Sequence, residues 1–159
     1  VLFRSIYIHG SRGSRMLKQL TAGQEVCVSV TLLDGLVLAR SAFLHSANYR
    51  SAVILGSFRK LEGDDEKTRV LAAFMEQLVP GRWDQLRAMT PQELNATDVL
   101  TLPLEEVSVK VRSGGPKDPD ADLTVPVWAG EIPISQTYHT PVPAADLAAG
   151  INPDWKDDR

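Results

Sequence analysis

The run Ile6-Tyr7-Ile8-His9-Gly10-Ser11-Arg12-Gly13-Ser14-Arg15-Met16-Leu17 decides how this sequence is read. Ile6–His9 has the character of a short strand, stopped by Gly10. Ser11-Arg12-Gly13-Ser14-Arg15 is a small polar loop, and Met16–Leu20 then supplies about one and a half helical turns before Gly23. Glycines let backbone N–H groups converge, Ser11 and Ser14 bring hydroxyls, and Arg12 and Arg15 bring forked guanidinium groups. A helix start follows directly, so the stretch holds the parts of a phosphate site at a sheet edge. A solvated polar turn is the plainer alternative. The loop is not a Walker loop, because no Gly-Lys-Ser/Thr follows. Nor is it a nucleophile elbow, because Gly10-Ser11-Arg12-Gly13 lacks the Gly-x-Ser-x-Gly spacing.

Downstream, the period becomes two from Glu25, with Val26, Val28 and Val30 on one face and Cys27, Ser29 and Thr31 on the other. Asp34-Gly35, set between apolar pairs, predicts a two-residue hairpin with a return strand over Leu36–Arg40. Asn48-Tyr49-Arg50 reads as a connection between strands, followed by a β-rich run from Ser51 to Leu61. Asp64, Asp65 and Glu66 suit a helix N-terminus, and Val70, Leu71, Phe74, Met75 and Leu78 form one stripe at helical spacing. Pro80-Gly81 stops that helix, and Thr90-Pro91-Gln92-Glu93 is a capping box opening a second. Glu106–Arg112 alternates, which predicts Val107, Val109 and Val111 inward and Ser108, Lys110 and Arg112 on the opposite face. A Gly/Pro/Asp-rich loop then leads to Val125-Pro126-Val127-Trp128-Ala129-Gly130, and residues 136–159 form an irregular tail. Antiparallel strands, a helical insertion and further strands favour a mainly β fold, a barrel with helices at its rim, over a doubly wound sheet.

With 159 residues, 43% hydrophobic and 23% charged, the chain is read as a single domain spanning 1–159. A net charge of −3 provides no broad field for nucleic acid or an anionic membrane, so any anion must be held locally. A lone cysteine, Cys27, excludes an internal disulfide and fits a reducing cytoplasm. No apolar run approaches the ~20 residues of a membrane span, and the first residues carry no signal-peptide pattern. Val1–Ser5 matches the translation of a common sequencing adapter; it reads equally as an ordinary strand start.

Other residues could join a site. Arg50 could add a cationic contact, Lys110 and Arg112 point two charges the same way, and Trp128 could wall a flat ligand. Against these stand an exposed turn, a solvated strand face and a core tryptophan. His45 and His139 lack partners at metal-ligand spacing and Cys27 lies in no Cys-x-x-Cys pair, which argues against a protein-built metal site.

The first run resembles the strand–loop–helix that holds FMN phosphate in proteins like pyridoxamine 5'-phosphate oxidase. Val26–Thr31 is similar to that family's next strand, and Asn48–Gly56 to the one after it. Val79-Pro80-Gly81-Arg82-Trp83, Lys110-Val111-Arg112 and Trp128-Ala129-Gly130 resemble its nitroimidazole-reductase-like branch. The resemblance spans about residues 6–135. It implies an FMN-binding split β-barrel, with Ser14 and Arg15 on the phosphate and Ser11 and Arg12 near it. The family often has a second basic residue where this chain has Met16, a lost contact that Arg12 or Arg50 would replace. It also implies a homodimer with flavin at the subunit interface, where Trp128 serves the neighbouring flavin. Haem and deazaflavin are the other cofactors that related split barrels hold.

The family's barrel normally begins with strands upstream of Ile6, so the chain is expected to be an N-terminally shortened piece. The resemblance further implies an FMN-dependent oxidoreductase acting on a small flat acceptor such as a nitroaromatic or quinone, with no acid or base assigned. A flavin-binding module without turnover is the alternative, and a structural dimerisation domain a third reading.

Overall fold

The computed structural model describes residues 4–153. Seven strands and three helices follow one another: β1 (Ser5–Ser11), α1 (Arg15–Leu20), β2 (Glu25–Leu38), β3 (Ser46–Ser57), β4 (Arg59–Lys60), α2 (Asp64–Leu78), α3 (Pro91–Ala96), β5 (Thr97–Pro103), β6 (Glu106–Arg112) and β7 (Gly130–Pro133). They form two antiparallel sheets in two compact units. One unit gathers residues 4–25, 57–103 and 138–153; the other gathers Val26–Gly56 and Leu104–Thr137.

The first unit is built around β5, which lies between β1 and β4. Its residues Asp98–Leu102 are all buried, so it carries a continuous buried run, interrupted by the polar Asp98 and Thr101, rather than an alternating one. Pairing places Tyr7 opposite Thr101 and His9 opposite Val99 on one face, and Ile8 opposite Leu100 and Gly10 opposite Asp98 on the other. Helix α2 packs its Val70 and Leu71 with Leu61 and Val99, and Tyr7, Trp83, Met89 and Leu94 close the edges of that cluster. The stripe expected on α2 is therefore only half used, since Phe74 and Leu78 remain exposed. Gly63 caps the start of α2, and Gly81 takes a left-handed φ of 77° just beyond its end.

The capping box at Thr90 forms as the sequence requires. Thr90 Oγ1 accepts from the Glu93 backbone N–H, and the Glu93 carboxylate accepts from the Thr90 N–H. Arg87 also donates to Glu93, and these bonds, Arg87 first, pull its carboxyl from 4.5 down to about 2. A depressed carboxylate stabilises the fold above its unfolded value, and that contribution is lost as pH falls from about 4.5 towards about 2. Glu93→Gln should thus melt below the wild type at pH 7, with the gap narrowing as pH drops through that window. A gap independent of pH would show that charge at Glu93 contributes nothing.

The second unit is a four-stranded sheet in the order β6-β3-β2-β7. Three expectations are corrected here. Asp34-Gly35 forms no hairpin: both residues lie inside the 14-residue strand β2, and Leu36–Leu38 continues that strand. Gly35 is required there by close approach, because a Cβ would come within 3.0 Å of the Ile132 carbonyl oxygen on β7. The chain reverses instead at 39–45, through a short 3-10 turn, Ala42–Leu44. Asn48-Tyr49-Arg50 is not a connection either but the body of β3, paired with β6 from Tyr49↔Arg112 to Leu55↔Glu106. Finally, Val107, Val109 and Val111 do not point inward. All three are exposed, Val109 by 67%, because no described segment of this unit covers that face of the edge strand β6.

Candidate functional site

Strand β1 hands directly into the polar loop. Ser11 Oγ accepts from the Gly13 N–H at 3.2 Å, and the Ser11 carbonyl accepts from the Ser14 N–H at 2.8 Å. Ser14 is the N-cap of α1, its Oγ accepting from the Leu17 N–H at 3.4 Å. The Arg12 N–H donates to the Ala96 carbonyl at 2.8 Å, which ties the loop to the α3–β5 junction. Leu17 is buried under β1, where a Cβ on Gly10 would come within 3.1 Å of its Cδ1. The loop is therefore held by backbone bonds and one apolar anchor. That leaves its polar side chains free to act outward.

Both serine hydroxyls accept bonds within the loop and keep their own protons to donate. The N–H groups of Arg15 and Met16 stand in the first helical turn, without intrahelical acceptors. Arg15 is exposed and has no ion-pair partner among the described residues. Arg12 is 61% exposed, with Nε 3.7 Å from Asp98 Oδ1, and Lys60 Nζ lies 2.8 Å from the same oxygen. Arg12 is too far from Oδ1 for a hydrogen bond and Lys60 does not meet it at hydrogen-bonding angles, so both contacts are Coulombic. One buried carboxylate thus faces two cations, and the loop keeps surplus positive charge. Asp98 and Lys60 were not legible as site residues, since only the β4–β5 pairing brings them together.

The remaining expected residues lie in the second unit. Arg50 is not a free cation: its Nε and Nη2 donate to the two Asp34 oxygens at 3.0 and 2.8 Å. That fork holds the Asp34 carboxyl below its ordinary range. Lys110 and Arg112 do share a face, opposite Ser51 and Tyr49, and Lys110 Nζ sits 6.0 Å from the centre of the Tyr49 ring. Arg112 donates to Asn48 Oδ1 and to the carbonyls of Gly114 and Gly115, while Asn48 donates to Glu131. Trp128 is 62% exposed, with its ring against Gly130.

Among the other residues of this unit, the Asp118 side chain is 2% exposed and accepts from Arg40 through the backbone N–H and guanidinium. Burial alone would raise its pKa, but those two bonds outweigh it and hold the carboxyl below its ordinary value. Among the described residues no three His, Cys, Asp or Glu side chains gather as a metal site.

Two solved structures match almost all of this chain. A flavocytochrome from Azotobacter vinelandii is 38% identical with a TM-score of 0.88, covering 93% of this chain and 69% of its own. An FAD- and haem-binding protein from Mycobacterium smegmatis is 43% identical with a TM-score of 0.87, covering 92% and 72%. A third, a candidate 5-nitroimidazole antibiotic resistance protein from Bacteroides thetaiotaomicron, shares the fold at 17% identity and a TM-score of 0.54, over 69% of this chain and 62% of its own. The antiparallel, mainly β arrangement with few helices is the split-barrel fold of these neighbours. Among curated proteins none matches the chain. The family model for pyridoxamine 5'-phosphate oxidase matches residues 3–111. With more than half of its length matched by that model, the chain belongs to the pyridoxamine 5'-phosphate oxidase family.

Proposed function

We propose that the chain is a flavin-binding redox protein that holds the ribityl phosphate of FMN on Ser11, Arg12, Ser14 and Arg15. The observation that carries this reading is a loop fixed by its own backbone, with two outward hydroxyl donors and an unpaired guanidinium. The bound flavin supplies hydride chemistry, and the protein supplies binding, orientation and charge. FAD carries the same ribityl phosphate, so the loop chemistry applies to both forms. Lys110, Arg112 and Trp128 are proposed further flavin contacts, Trp128 to the flavin of a neighbouring subunit. Arg50 can contribute only through donors that the Asp34 fork leaves unused, such as Nη1, or by leaving Asp34.

A homodimer is supported by the second unit's sheet. Strand alternation and the Arg50–Asp34 pair put Val30, Leu32, Leu36, Val109, Val111 and Ile132 on one face, and all six are exposed. An apolar face of this kind marks an association surface. No helix among the described residues is long and apolar enough to cross a membrane, and the exposed thiol of Cys27 is in keeping with a reducing cytoplasm.

Titration with FMN, FAD and riboflavin tests the assignment. Arg15→Ala should weaken FMN by roughly ten- to a hundredfold, the worth of one charge-assisted contact, and leave riboflavin nearly unchanged. Equal loss for both ligands would remove Arg15 from the phosphate, and no flavin binding by the wild type would remove the whole reading. The oxidoreductase reading calls for electron transfer from a nicotinamide donor to a nitroaromatic or quinone. A flavoprotein that is reduced chemically yet turns over with no acceptor would be a binding module instead.

A second reading adds haem to the flavin. It is favoured by the two neighbours of 38% and 43% identity, one described as a flavocytochrome and the other as binding FAD and haem.

A further inference from the structure

Resting on the FMN reading, we infer that Lys60, far from the loop in sequence, is a further phosphate-binding residue, held for that task by Asp98. Strand pairing brings it there. Lys60 stands opposite Leu100, and Gly10 stands opposite Asp98. Alternate residues of a strand share a face, so Lys60, Asp98 and Gly10 lie on one face of the sheet. Leu17 packs against Gly10 on that face, and the Arg12 N–H is tied to the Ala96 carbonyl, two residues before Asp98. The lysine of β4 therefore reaches the loop across β5.

Its charge is not used up within the protein. Lys60 Nζ lies 2.8 Å from Asp98 Oδ1 and Arg12 Nε lies 3.7 Å from the same oxygen, so the two cationic nitrogens are no further apart than those two lengths end to end. Asp98 is 6% exposed, and its Oδ1 accepts no hydrogen bond among the described residues. One negative charge thus holds two positive ones together and cannot neutralise both. The Lys60 side chain is 21% exposed, and its ammonium makes no hydrogen bond among the described residues. Lys67, the more deeply buried lysine, differs in this respect, because its Nζ donates to the Leu94 carbonyl at 2.8 Å.

A sheltered ammonium is costly unless acceptors meet its three donors. The partner that fits is an anion with several oxygens and more than one charge. A phosphomonoester brings three acceptor oxygens and a charge of roughly −1.5 to −2 at pH 7. Charge-assisted bonds of this kind span about 2.7–2.9 Å. One phosphate can therefore meet Arg12 and Lys60 through different oxygens, with Asp98 keeping the two cations side by side.

The test measures FMN and riboflavin affinities for the full chain and its variants, with inorganic phosphate as a probe free of flavin. Lys60→Met keeps the apolar stem and removes the charge. It should weaken FMN by roughly ten- to a hundredfold, the worth of one charge-assisted contact, and leave riboflavin nearly unchanged. Lys60→Arg should bind FMN much as the wild type does. The double variant Lys60→Met/Asp98→Asn carries the wild type's net charge and leaves no orphaned carboxylate to impair folding. It should stay as weak for FMN as Lys60→Met. Recovery of wild-type affinity would show that Lys60 only offsets Asp98, and would overturn the assignment. So would a loss shared equally by FMN and riboflavin. Inorganic phosphate should raise the melting temperature of the wild type above that in chloride of equal ionic strength, and should do so less for Lys60→Met. A wild type that binds no flavin yet shows this difference would remove the FMN reading and keep Lys60 as a phosphate ligand. Equal phosphate effects on the two proteins would overturn the role of Lys60 whether or not flavin binds.

Discussion

Leu100→Ala should destabilise the first unit by about 2–5 kcal/mol, the cost of a buried leucine together with the cavity it leaves. The upper part of that range is expected. Leu100 has no exposed surface and stands mid-strand in β5, with β1 on one side and β4 on the other. Its neighbours cannot collapse easily into the gap, because Ile8 and Lys60 are both held in register with it by the ladder. Denaturant midpoints of the wild type and variant would measure the loss. A change under 1 kcal/mol would mean that β5 is not the packed centre of its sheet.

Strand β5 is not legible in the sequence, and the reason is physical. Val99-Leu100-Thr101-Leu102 has neither the alternation of a half-buried strand nor the spacing of an amphipathic helix. It is buried on both faces and short. The elements that were legible carry their information locally. The stripe at Val70, Leu71 and Leu78 marks α2, the Thr90–Glu93 box marks α3, and the alternation from Glu106 to Arg112 marks β6 to the residue. Asp34-Gly35 misled for the same reason that β5 was silent. A hairpin signal knows the two residues but not the β7 backbone that crosses Gly35, nor the guanidinium on β3 that engages Asp34.

The candidate site divides along the same line. Ser11, Arg12, Ser14 and Arg15 are consecutive enough that a strand, a turn and a helix start determine their geometry, although β1 runs through Gly10 to Ser11 and α1 starts at Arg15, which narrows the loop to Arg12–Ser14. Arg50 was a candidate because it is basic, yet its charge is answered by a residue on the adjacent strand. The converse holds for Asp98 and Lys60, whose meeting beside Arg12 depends on strand pairing across distant segments.

Leu17→Ala is the substitution expected to connect packing with ligand binding. Leu17 is 1% exposed and is the sole buried residue of α1, a helix of six residues whose other leucine, Leu20, is only half-buried. Isolated helices of that length do not persist in water, so α1 exists because Leu17 packs against Gly10. Truncation should cost about 2–5 kcal/mol, drawn partly from local release of α1 and partly from the cavity beneath it. Release of α1 would free Ser14 from its N-cap bond and let Arg15 swing away, so FMN should be lost along with stability. Riboflavin, which has no phosphate for the loop to hold, should be affected less. Met16→Ala, at the next and exposed position, serves as the control and should change both quantities little. Hydrogen exchange on α1 would separate the two contributions. Fast exchange confined to residues 14–20 together with weakened FMN would establish that Leu17 holds the loop in place. Weakened FMN with α1 still protected would place the phosphate contact elsewhere.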